Sequence, residues 1–69
     1  MIEVYKTNVS DADTACIIIN QIRAKIKGVK ANFDLSDCDH VLRVEHIEFD
    51  VKLISQIVSE MGFSASPFE

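Results

Sequence analysis

Ala31-Asn32-Phe33-Asp34-Leu35-Ser36-Asp37-Cys38-Asp39-His40-Val41-Leu42-Arg43-Val44-Glu45, in the middle of this 69-residue chain, decides the fold. Ala31, Phe33 and Leu35 interleave with Asn32, Asp34 and Ser36, and Leu42 and Val44 interleave with Arg43 and Glu45. Side chains of a strand alternate between its two faces, so each run reads as a half-buried strand. Between them, Ser36-Asp37-Cys38-Asp39-His40 is a polar cluster rich in aspartate, whose side chain hydrogen-bonds its own backbone in turns. The stretch is a β-hairpin.

On its N-terminal side, Ile18, Ile19, Ile22 and Ile26 recur at spacings of three and four, the apolar stripe of a helix. Arg23, Lys25 and Lys27 crowd the last turns, where cations suit the helix dipole, and Gly28 closes the element. Ser10 followed by Asp13 reads as a capping box at its start. Ahead of it, Ile2 and Val4 alternate with Glu3 and Tyr5 in a half-buried strand ending near Thr7. On the C-terminal side Asp50 is a good N-cap for a second helix, with Val51, Ile54, Ile57, Val58 and Met61 inward and Gly62 at its end. Phe63 to Phe68 then forms a short last strand, which Pro67 restricts to an edge.

The order β-α-β-β-α-β predicts an α+β, ferredoxin-like sandwich: two helices on one face of a four-stranded antiparallel sheet, one domain over residues 1–69. The open face of that sheet is expected to carry Glu3, Tyr5, Thr7, Asn32, Asp34, Arg43 and Glu45. An RNA-reading sheet needs stacking aromatics and basic residues there, and only Tyr5 qualifies. The net charge of −4 also argues against nucleic acid.

Charge is unevenly spread. Residues 1–30 set Lys6, Arg23, Lys25, Lys27 and Lys30 against Glu3, Asp11 and Asp13, a balance of +2. Residues 31–69 set Arg43 and Lys52 against eight acids, a balance of −6. Such asymmetry suits a protein partner or self-association. The hydrophobic fraction of 48% suffices for a core, and two cysteines are too few for a disulfide scaffold. The first residues lack the basic-then-apolar pattern of a signal peptide, and no run reaches membrane-spanning length. A cytoplasmic domain with no membrane association is expected.

In its whole-chain pattern the sequence resembles the heavy-metal-associated domains, the small modules of copper chaperones and metal-pumping ATPases. The residues that carry the resemblance are Val9, at the family's Met before its metal loop, then Ile18, Ile22, Gly28-Val29, the strand Ala31 to Leu35, and Gly62-Phe63. The resemblance implies a ferredoxin-like fold and a metal loop after the first strand. The family's Cys-x-x-Cys is missing: laid on Val9, its cysteines fall at Asp11 and Thr14, and one residue further on at Ala12 and Ala15. Soft Cu(I) prefers thiolates to hard oxygen donors, so copper shuttling does not carry over. The chain looks like a degenerate, stand-alone relative.

The residues able to ligate a metal are Asp11, Asp13 and Cys16, with Cys38 and His40 as a second set. Recognised ligand spacings are absent, and no cofactor is expected. Acids in a first helical turn also serve the dipole, and Cys16 is placed to border the core. Strand alternation would put Cys38 and His40 on one face of the hairpin, with Asp37 and Asp39 on the other. His46 reads as a solvated surface histidine. No base is spaced to serve a cysteine nucleophile, and Asn8 to Thr14 has no Gly-rich, arginine-bearing anion cradle. The expected function is a non-enzymatic binding or interaction domain, the alternative a divalent-metal binder using Asp, Cys and His donors.

Overall fold

The hairpin alternation is realised in a computed structural model that describes residues 1–68. Its strands are β2 (Lys30–Asp34) and β3 (Val41–Glu45), paired antiparallel with Phe33 opposite Leu42 and Ala31 opposite Val44. The first strand, β1 (Ile2–Thr7), lies on the other side of β3, and the three-residue β4 (Ala65–Pro67) pairs with β1. The sheet order is β2-β3-β1-β4 with every neighbouring pair antiparallel. Helices α1 (Ala12–Lys25) and α2 (Val51–Glu60) complete the order β-α-β-β-α-β. This is the ferredoxin-like α+β fold, and Pro67 stands on an edge strand as its missing N–H requires.

The helices cover one face of the sheet. Ala15, Ile18 and Ile22 of α1 and Ile54, Ile57 and Val58 of α2 are buried, meeting Leu42 and Val44 of β3. Gly62 follows α2 with φ +88, a left-handed conformation that a side chain would strain. α1 ends at Lys25, earlier than its apolar stripe, and Gly28 takes φ +80 in the turn beyond. No helix is long and apolar enough to cross a membrane among the described residues.

One strand faces opposite to the sequence expectation. Tyr5 has 0% of its surface exposed, whereas Ile2 is 50% exposed. The cause is register: Tyr5 is opposite Leu42 and Glu3 opposite Val44, so those residues share the helix-covered face. The Tyr5 hydroxyl donates to the Val51 carbonyl at 3.0 Å, which gives the buried phenol a partner in the first turn of α2. Ile2, Val4 and Lys6 lie instead on the open face, beside Asn32, Asp34, Arg43 and Glu45. The Lys6 ammonium sits 5.2 Å from the centroid of the Phe68 ring there, a cation–π contact. This face is therefore less acidic and more apolar than alternation within β1 suggests.

Candidate functional site

The β1–α1 loop, the β2–β3 turn and the α2–β4 turn meet at one end of the sheet. Thr7 at the end of β1 donates its N–H to the Asp39 carbonyl at 3.0 Å and its hydroxyl to the His40 carbonyl. Asn8 accepts the Ser64 N–H through its side-chain oxygen at 2.8 Å. The three loops are thus tied together by backbone groups that would otherwise lack partners.

Asp11, rather than Ser10, is the N-cap of α1. Its carboxylate accepts both the backbone N–H and the hydroxyl of Thr14, each at 2.9 Å. One acceptor taking two donors is the reason the cap moves one residue along. Asp11 and Thr14, the positions where the resemblance would put cysteines, are therefore bonded to each other. Asp13 is exposed in the first turn. Cys16 is also exposed and does not join the core, since Ala15 and Ile18 take the inward positions of this face.

In the hairpin the strand periodicity stops at Asp34, and the next residues form turns. Faces no longer alternate there. Asp37, Cys38 and Asp39 present ligand atoms within 4.8 Å of one another, although alternation would set Cys38 on the side opposite the two acids. Turn chemistry uses the same residues: the Asp37 carboxylate accepts the Asp39 N–H at 2.9 Å, and the Asp37 carbonyl accepts the His40 N–H at 3.0 Å. His40 stands outside this trio at φ +46, its Nδ1 buried without a hydrogen-bond partner among the described residues. His46 lies at the far end of the sheet, half-buried beside Gly28 in a cleft of about 340 Å³, so it is less solvated than expected.

A larger groove, about 430 Å³, runs between α1 and the edge strand β2. Its lining combines the small Ala12 and Cys16 with the partly exposed apolar Ile19, Phe33 and Leu35, and Arg23 at one end. Among the described residues β2 pairs only with β3, so alternate N–H and C=O groups along its outer side have no strand partner there. The sequence contains every residue of this groove, but only the order of strands reveals that β2 is an edge.

Protonation brackets the stability of this arrangement. Asp11 is held below the ordinary carboxylate pKa, first by the Thr14 backbone N–H and then by its hydroxyl. Asp34 is held low chiefly by the Ser36 hydroxyl. A depressed folded pKa contributes stability above the unfolded value of about 4, and that contribution is lost as pH falls through the folded value. Tyr5 is the reverse case: burial first, then the charges of Glu3 and Asp50, push its phenol well above the ordinary range. Its contribution is complete below the unfolded value of about 10 and is lost as pH rises further. Thermal midpoints are expected to fall at both extremes; Tyr5→Phe sits below the parent by a constant offset through the neutral range, and that offset narrows only on the alkaline side, where the parent alone loses the Tyr5 contribution. Parallel alkaline limbs in the two proteins would contradict this.

The chain matches no family model, and no curated protein or solved structure aligns significantly with it.

Proposed function

We propose that this chain is a non-enzymatic, protein-binding module. The observation that carries the reading is the unpaired five-residue edge of β2, bordered by the partly apolar groove under α1. Free backbone groups beside an apolar groove are what an added strand needs: main-chain bonds give affinity and side-chain pockets give selectivity. The degenerate metal loop supports the same reading, because Asp11 and Thr14 cap a helix where the resembling family holds copper. The net charge of −4 favours a protein over a nucleic acid, and His46 lines a different cleft from the one that Cys16 borders. Affinity capture by the parent chain and by Ile19→Glu, checked for folding by circular dichroism, tests this. A partner retained by the parent and released by Ile19→Glu is expected. Equal retention by both would sink the β2–α1 groove as the binding surface.

A second reading, a divalent-cation binder, is favoured by the convergence of Asp37, Cys38 and Asp39. Calorimetric titration of the reduced protein with Zn²⁺ separates the two. Saturable heat at micromolar concentration that disappears in Cys38→Ser would promote the cation reading, and its absence would leave these residues as turn formers.

A further inference from the structure

The protein-binding reading leaves the occupant of the β2 edge open. Resting on that reading, we infer that the occupant is a second copy of this chain, its β2 pairing antiparallel about Asn32 to join two sheets into one of eight strands. The five residues of β2, Lys30-Ala31-Asn32-Phe33-Asp34, are complementary to their own reverse. With Asn32 opposite Asn32 of the partner subunit, Lys30 falls opposite Asp34 of the partner subunit, and Asp34 opposite the partner's Lys30. Both ion pairs lie on the open face, where Lys30 and Asp34 are exposed. On the helix face Ala31 meets the partner's Phe33, small against large. Opposite charges directly across a strand pair stabilise it, and like charges oppose it.

The same charges reject the alternatives. Parallel pairing in register would set Lys30 against Lys30 and Asp34 against Asp34. A shift of two residues shortens the ladder and separates both ion pairs. An edge lysine ordinarily blocks strand addition; here an aspartate four residues on turns that block into a selector for one register. The opposite edge does not compete, because β4 has three residues and contains Pro67.

A two-fold axis normal to the sheet keeps both helix layers on one side and runs the two α1 helices antiparallel. That arrangement turns the acidic first turn of each α1 toward the basic last turn of the other, Asp13 toward Arg23 and Lys25. It also covers Ile19 and Phe33 along the groove. A stable interface takes about 800 Å² from each partner, roughly a fifth of the 4397 Å² that this chain exposes. Interfaces smaller than this are weak and transient, so self-association is measured up to about 1 mM.

Sedimentation equilibrium on the full chain tests the pairing. The parent is expected to dimerise, and Lys30→Asp and Asp34→Lys are each expected to remain monomeric, at least tenfold weaker in self-association. Mixed in equal amounts, the two variants are expected to form a heterodimer, since one supplies two acids and the other two lysines at the paired positions. The double variant Lys30→Asp/Asp34→Lys is expected to regain homodimerisation. The heterodimer controls for misfolding, including any loss of the Asp34–Ser36 turn bonds in Asp34→Lys. A monomeric parent at 1 mM, or variants that dimerise alone as well as they do mixed, would overturn the inference. A monomeric parent whose heterologous partner is still released by Ile19→Glu would leave the protein-binding reading standing while removing self-pairing.

Discussion

Tyr5→Ala is expected to be unfolded at room temperature. The ring has no exposed surface and fills the space opposite Leu42 beneath the helices. Its hydroxyl also gives the Val51 carbonyl, in the first turn of α2, a partner. Truncating a buried aromatic to alanine costs about 3–5 kcal/mol. A domain of this length holds roughly 3–10 kcal/mol in total, and small domains sit toward the lower end because they bury a smaller fraction of their surface. Tyr5→Phe keeps the ring and removes one hydrogen bond, a loss of about 1 kcal/mol. Far-UV circular dichroism and urea titration of both variants check the contrast. A cooperatively melting Tyr5→Ala protein would show that the core does not depend on this ring.

The second large effect is a gain of binding. Asp11→Cys/Thr14→Cys places two thiols where side-chain oxygens now lie 2.9 Å apart at the start of α1. A helix N-terminus lowers thiol pKa, and a pair of convergent thiolates suits Cu(I). The reduced double variant is expected to hold one equivalent of Cu(I) against a competing chelator, with the parent as control. At a hundredfold excess over the dissociation constant the bound ion adds about 3 kcal/mol of stability by mass action, more than compensating for the lost cap. No retention above that of the parent would mean that the loop geometry does not suit a two-thiolate site.

Much of the fold is legible because its signals are local. The isoleucines of α1, the alternation of Ala31 and Phe33, the caps at Asp50 and Gly62, and Pro67 each report on a few neighbouring residues, and together they order the six elements. The errors have one origin. Ile2-Glu3-Val4-Tyr5 alternates equally well in either phase, and hydropathy favours Ile2 and Val4 inward. Pairing with Leu42 and Val44, far along the chain, reverses that choice. The cap at Asp11 and the convergence of Asp37, Cys38 and Asp39 are hidden for a related reason: turn geometry, not periodicity, places those side chains.

The candidate site divides in the same way. Absence of a thiol pair is a fact of composition and spacing, readable without coordinates. The groove beside β2 is not, because it requires knowing that β3 and β1 occupy the middle of the sheet and leave β2 outermost. The sequence by itself determined the element order, the apolar stripes of the two helices and the absence of a closely spaced thiol pair, since each depends on residues within a turn or two of one another. Tertiary structure alone decided which face of β1 is buried and which strand edge is free. Both depend on long-range strand pairing, which buries Tyr5 against Leu42 and leaves the outer edge of Lys30 to Asp34 without a strand partner among the described residues.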